Sequence, residues 1–310
     1  MLTRRAPLAV ACLSLIAGLA LLGTSVYAKV SPSASHPTAA ASGATAQPSP
    51  TPSPQPPPPP TLKLTDPVQV KLAANSVYAW SLLDRMTGEF TGSANSATYH
   101  NTTESMVKAW LVSDFLRRLG ARQPTSTELK YTSTAIRDSN DNSAQWLYLK
   151  NGGNASIKRL FSTCHLVDKP VLRSGWWSMT QLTARDAARM GDCVADGTAA
   201  GPKWTDYVLT EMHNVRGTVA AKDQHAKTGG GRWGIIDGLP ASLQADTGIK
   251  NGWTLINADG KWHLNCLAVH PDWTLAVEVR YPGKLGLAYG ANVCKSVAQQ
   301  LVYQPTSTEG

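Results

Sequence analysis

Ser105 and Lys108 stand three residues apart in Ser105-Met106-Val107-Lys108. That spacing puts two side chains on one face of a helix. A serine near a helix start also lies in the positive end of the helix dipole, which favours an oxyanion there. Its hydroxyl is a poor nucleophile until a base takes the proton. A desolvated lysine near a second cation can have a pKa low enough to be that base. On its own the pattern is also that of a helix N-terminus with a solvated lysine. A second polar cluster, Ser139-Asn140-Asp141, could relay protons, or could cap the following helix through Asp141 or Asn142. A third element, a lysine directly before a polar-glycine pair, occurs twice: Lys227-Thr228-Gly229 and Lys250-Asn251-Gly252.

Elements are needed to bring these together. Thr103 to Leu119 reads as a helix stopped by Gly120. Helical patterns follow at about 126–138, 142–151, 154–162, 180–196 and 202–213, and a last helix spans about 287–302. Val77–Asp84 reads as a strand, with Thr87-Gly88-Glu89 turning into a second. Asp246–Ile256, Trp262–Val269 and Thr274–Arg280 are three more, parted by Asn257-Ala258-Asp259-Gly260 and Pro271-Asp272. The expected fold class is α/β (α+β): one antiparallel five-stranded sheet flanked by helices, plus an all-helical lobe. The cleft between lobes is the natural ligand site. Lys250 falls within a strand pattern, downstream of Gly238-Leu239-Pro240. Lys227 sits in a glycine-rich stretch without one, so Lys250 is the candidate and the literal K-T-G a decoy.

Taken in order, S-x-x-K, S-N-D and K-N-G resemble the motif set of the class A β-lactamase and penicillin-binding protein superfamily, which is S-x-x-K, S-D-N and K-T-G. Ala144, Gln145 and Leu147 after the second motif also match, and the resemblance runs from about residue 70 to 303. It implies a β-lactamase/transpeptidase-like fold. By residue, it implies that Ser105 attacks a carbonyl and is acylated, that Lys108 takes its proton, that Ser139 hands a proton to the leaving nitrogen, and that Lys250 supports Ser139 electrostatically. Asp141, Asn251, Gly252 and Trp253 would face the substrate, with Asn251 donating to a substrate carboxylate. The backbone N–H groups of Ser105 and Trp253 would hold the oxyanion. The implied substrate is a β-lactam or a peptidoglycan peptide, with no metal and no organic cofactor.

The chain departs from that pattern in three places. The stretch from Cys164 to Thr180 lacks the glutamate that activates the deacylating water in class A enzymes, and Asp168 is the only carboxylate there. Slow deacylation, as in a penicillin-binding DD-peptidase, or a non-catalytic envelope-binding module follows as an alternative. The segment between Lys108 and Ser139 is short, so part of a substrate-contacting rim is missing. Asp141 stands where an amide is usual, and its carboxylate would repel an anionic substrate and favour a neutral or cationic one.

Composition sets the compartment. Arg4 and Arg5 precede an apolar run from Ala6 to Val26 that ends in Val26-Tyr27-Ala28. Residues 1–28 therefore read as a signal peptide or, since about 20 apolar residues span a bilayer, an N-terminal anchor. Residues 29–61 are a Pro/Ser/Ala-rich disordered linker ending in polyproline, 62–305 the hydrolase-like domain, and 306–310 a tail. Both readings place the domain outside the cytoplasm, secreted or anchored, against the cell wall or membrane surface. Four cysteines outside the leader, Cys164, Cys193, Cys266 and Cys294, suggest two disulfides. Three connectivities are open, and sequence proximity favours Cys164–Cys193 with Cys266–Cys294. The net charge of +8 comes without a Lys/Arg run or a nucleic-acid-binding motif, which argues against nucleic acid as the partner. Seven histidines show no metal-ligand spacing and read as structural or exposed. Asn101-Thr102-Thr103 is a glycosylation sequon by pattern, and Trp176-Trp177 could line a sugar or peptide surface. A monomer is expected.

Overall fold

The long strands of the sheet are largely apolar on both faces, and the reason is visible in the layers. The computed structural model describes residues 58–225 and 229–305. The expected leader, most of the linker, the tail, and Lys227 with Thr228 lie outside the described residues. The strands are β1 (Thr61–Leu62), β2 (Val77–Asp84), β3 (Phe90–Gly92), β4 (His100–Thr102), β5 (Gln181–Thr183), β6 (Gly248–Ile249), β7 (Gly252–Ile256), β8 (Lys261–Val269), β9 (Trp273–Pro282) and β10 (Val302–Tyr303). The helices are α1 (Lys108–Arg118), α2 (Ser126–Arg137), α3 (Asp141–Lys150), α4 (Asn154–Thr163), α5 (Ala184–Ala195), α6 (Thr205–His213), α7 (Ile235–Gly238), α8 (Ala241–Ala245) and α9 (Gly286–Leu301).

The main sheet is antiparallel in the order β3-β2-β9-β8-β6, with β7 also pairing β8. It is six-stranded where five were expected, because one edge strand is split. β6 and β7 both run along β8 in one register, with Lys250-Asn251 between them and Lys250 N still donating to Leu267 O at 3.0 Å. α5 packs on β2, β8 and β9, and α9 packs on β8 and β9. Helices covering a sheet's faces account for strands that are apolar on both sides, such as β9, nearly all buried. Beyond the sheet, α1 is buried over nine of its residues, from Lys108 to Leu116. A helix buried all round is the core of a lobe, and α2, α3, α4 and α6 pack around it.

Cys164–Cys193 ties the end of α4 to α5, and Cys266–Cys294 ties β8 to α9. These are the two pairs that proximity favours. Each closes a loop worth roughly 3 kcal/mol or more in the chain-entropy account. Other details differ from the sequence expectation. The helix expected from Thr103 begins as a 3-10 turn at Glu104–Val107 before α1 takes over. The helix expected from 180 starts as β5, which pairs with β4. Asn101 is wholly buried and its amide donates to Leu264 O and Asn265 Oδ1, so the sequon is inside the fold.

Candidate active site

The turn before α1 presents Ser105 to the cleft because its neighbours are pinned. Gly252 lies against it so closely that a Cβ there would sit 2.4 Å from Thr103 O, 2.6 Å from Met106 N and 2.7 Å from Ser105 N. Only glycine fits that approach. The Ser105 side chain is half-buried at the point where two hollows meet. One, of about 260 Å³, is walled by Asp138, Ser139, Gln224 and Gly229. The other, of about 320 Å³, is walled by Glu104, Gln145, Trp176, Trp177 and Thr254. Ser105, Asp141, Asn142 and Trp253 belong to both.

Ser139 is delivered by a strained turn. It holds φ 53, a left-handed conformation that costs a non-glycine residue about 1 kcal/mol or more. Asn140, rather than Asp141 or Asn142, caps α3, its Oδ1 accepting from Ser143 N at 2.9 Å. Asp138 is fastened to Arg216 by two bonds of 2.6 and 2.7 Å. Gly229, the glycine of the literal K-T-G, packs on Asp138, where a Cβ would fall 2.4 Å from its Cα. It buttresses the Ser139 turn.

Two lysines, each 0% exposed, converge on Ser139. Lys250 Nζ donates to Ser139 Oγ at 2.9 Å. Lys108 Nζ lies 3.4 Å from the same oxygen and also donates to Ser139 O and to Asp141 Oδ1, the last at 2.6 Å. Burial pushes the Lys108 ammonium below the ordinary lysine value, while Asp141 and then Glu104 pull it partway back. Burial and the like charge of Lys108 hold Lys250 well below that value, against the pull of Asp141 and Asp138. Buried amines of this kind are poised to accept protons. No hydrogen bond joins Lys108 Nζ to Ser105 Oγ among the described residues. The Asp141 side chain is 81% exposed and closes the cleft end of Lys108.

Other expected residues are placed differently. Asn251 is buried, and its amide donates to Gly231 O at 3.0 Å and Trp233 O at 2.8 Å. The amide is spent on the glycine-rich loop, so Asn251 is not a donor to substrate. Trp253 does line the cleft, its Nε1 donating to Gln224 Oε1 at 2.9 Å. Asp168 is buried and accepts from Thr183, Arg185 and Arg189. Burial raises its proton affinity, but Arg185 and the other partners outweigh that and hold its pKa down. Held in this way it is an anchor for α5 and not a substitute for the missing glutamate. Glu104 is a cleft residue that the motifs do not reveal. It is buried at φ 49 directly before Ser105, and its partner Thr254 is 150 residues away in sequence. A carboxylate placed directly before the serine is the one signal the sequence carries.

The architecture matches solved structures over most of their length. PBP-A aligns with a TM-score of 0.54 at 12% identity, over 74% of this chain and 89% of that one. A β-lactamase from Streptosporangium roseum aligns at 0.54 and 15% identity, over 73% and 91%. The class A β-lactamase from Mycobacterium abscessus aligns at 0.52 and 14%, over 73% and 92%. The fold is that of class A β-lactamases and PBP-A. Within this β-lactamase-like fold the identities are too low to carry an activity across. No protein-family profile matches the chain. LppW from Mycobacterium tuberculosis, provisionally named a lipoprotein, is 24% identical over 215 residues, 66% of this chain. The β-lactamase-like chain spans about 65% of the length of the curated relatives it matches.

Proposed function

We propose that the protein is a serine hydrolase of the cell envelope that forms an acyl-enzyme on Ser105. The observation that carries this reading is the pair of buried lysines meeting at Ser139 Oγ, in the cleft that Ser105 overlooks. Buried amines with lowered pKa values serve as proton acceptors near neutral pH. Ser105 attacks the carbonyl of a β-lactam or a peptide of the D-Ala type, and its proton enters the lysine pair. Ser139, held by Lys250, returns a proton to the departing nitrogen. The Ser105 N–H, at the turn that Gly252 supports, faces the developing oxyanion. Acylation precedent within the fold comes from a mutant of PBP-A, whose structure is an acyl-enzyme complex with penicillin G.

Deacylation is slower than acylation in this reading, and Asp168, locked in its ion pairs, is not its base. A second reading, an envelope-binding module without turnover, is favoured by one observation: Lys108 is bonded to Asp141 and Ser139 and not to Ser105. The basic, apolar leader, the two disulfides and the lipoprotein name of the mycobacterial relative support an extracytoplasmic location, secreted or anchored.

Intact mass after incubation with a fluorescent penicillin, beside Ser105→Ala, tests the reading. An adduct on the parent alone is expected. No adduct with the penicillin left intact in solution leaves the binding module standing and removes the hydrolase.

A further inference from the structure

Glu104 lines the tryptophan side of the cleft and is 4% exposed. Its Oε2 lies 2.7 Å from the hydroxyl of Thr254, an exposed cleft residue. Its Oε1 lies 2.7 Å from Thr102 Oγ1. Thr102 Oγ1 is in turn 2.8 Å from His263 Nδ1, and His263 Nε2 is 2.8 Å from Asp259 Oδ2. The Asp259 side chain is 37% exposed, in the turn between β7 and β8. An unbroken line of side chains thus runs from the cleft, through the protein, to solvent.

The donors and acceptors along this line admit two arrangements with the same number of protons. In the first, Glu104 is protonated and donates to Thr102, Thr102 donates to His263 Nδ1, and the neutral imidazole donates from Nε2 to the Asp259 carboxylate. In the second, two protons have each moved one place, and the Nε2–H still donates to Asp259. The Glu104 carboxylate accepts from Thr102, Thr102 accepts from His263 Nδ1–H, and the imidazolium rests on Asp259. Every donor has an acceptor in both. The other neutral tautomer of His263 would set the Nε2 lone pair against the Asp259 carboxylate and is excluded on that ground.

Burial at both ends tilts the balance toward the first arrangement. Burial, with Asp141 adding to it, raises the proton affinity of Glu104 against the opposing hydrogen bonds of Thr102 and Thr254 and the charge of Lys108. Burial lowers that of His263, helped by Arg280 and Lys261 and opposed by Asp259. Arg280 lies directly across from His263 on β9.

We propose that Glu104 is the acid–base residue for hydrolysis of the Ser105 acyl-enzyme, with Thr102, His263 and Asp259 as its proton relay. The proposal rests on acylation of Ser105. Water adds to the ester carbonyl, and its proton enters Glu104 Oε2 through the Thr254 hydroxyl. The proton already on Oε1 moves through Thr102 to His263, where Asp259 stabilises the imidazolium, the role a carboxylate plays behind a histidine base. On collapse the bond from the carbonyl carbon to Ser105 Oγ breaks. The relay runs backwards and returns the proton to Ser105, leaving free acid and the starting enzyme. A base at this position fills the role left empty by the absent glutamate, from another wall of the cleft.

The test uses the full chain acylated with a fluorescent penicillin and freed of excess reagent. Loss of adduct is followed by intact mass from pH 5 to 9. Glu104→Gln, which keeps shape and hydrogen bonding, is expected still to acylate and to hold its adduct about 10²-fold longer, with the pH dependence of adduct loss flattened. His263→Gln is expected to lengthen the lifetime less and to shift the pH profile, which a purely structural contact would leave in place. Imidazole nitrogen NMR of the wild type is expected to find His263 neutral at pH 7 with the proton on Nε2. An imidazolium, or a proton on Nδ1, overturns the assignment. A Glu104→Gln adduct that is lost with wild-type lifetime and pH profile overturns the relay and leaves Ser105 as the nucleophile. Absence of any adduct on the wild type removes both.

Discussion

The two sides of the cleft are built on opposite plans. Around Ser139 every group is tied down: Asp138 to Arg216, Lys250 to Ser139, Asn251 to the glycine-rich loop. On the tryptophan side the groups are held by fewer partners. Glu104 is held only by two hydroxyls, and Trp176 is 63% exposed. Ser105 sits on the boundary. The contrast teaches where precision and where adaptability are placed. Proton transfer during acylation needs fixed geometry, whereas accommodating the acyl group and releasing it needs room and a reversible proton.

Changes on the fixed side should have the largest effects. Lys250→Ala removes the amine at Ser139 Oγ and is expected to slow penicillin labelling of Ser105 about 10³-fold, measured as the rate of adduct formation. Gly252→Ala forces a Cβ into the backbone of the Ser105 turn. It should cost about 2–3 kcal/mol in denaturant unfolding and abolish labelling.

Asp141 borders both sides. Asp141→Asn removes a carboxylate that repels an anionic penicillin, so labelling should quicken about tenfold, a gain of about 1.4 kcal/mol. It also removes the charge that holds the Lys108 pKa up, so the rise of labelling rate with pH should move to lower pH.

The open side should respond in pH rather than in stability at one pH. Burial raises the Glu104 pKa, so the folded protein binds that proton more tightly than the unfolded chain does. Its contribution is fully present below the ordinary glutamic-acid value of about 4.3 and is lost as pH rises through the folded value. The melting temperature of Glu104→Gln should therefore gain on that of the wild type across this window. Trp176→Ala should shift unfolding by no more than about 0.5 kcal/mol while weakening the capture of bulky acyl donors, read from the concentration dependence of labelling.

Local patterns carried the architecture well. β2, α2, α4 and β8 lie within a residue or so of their expected spans, because each is a run with a clear period and a clear stop. The site was only partly legible. Ser105 and Lys108 share a short spacing, and Lys250 betrays itself by its strand. What the motifs imply for Asn251 fails because a side chain's direction depends on the loop packed behind it, here Gly231 and Trp233. The Glu104 line was illegible for a further reason. Thr102 meets His263 across 161 positions, and the pair is made by β4 resting on β8, a juxtaposition that no spacing records.

The covered edge around Lys250-Asn251 has a consequence for the company this protein keeps with itself. A long bare rim of a sheet is a template on which another chain can pair, and proteins that must stay dispersed keep such rims short. One rim here offers only the three residues of β3, while along the other β6 is buried against α6 and β7 packs on the turn that carries Ser105. The packing that buries Lys250 beside the cleft therefore also leaves a neighbouring molecule little bare edge on which to pair.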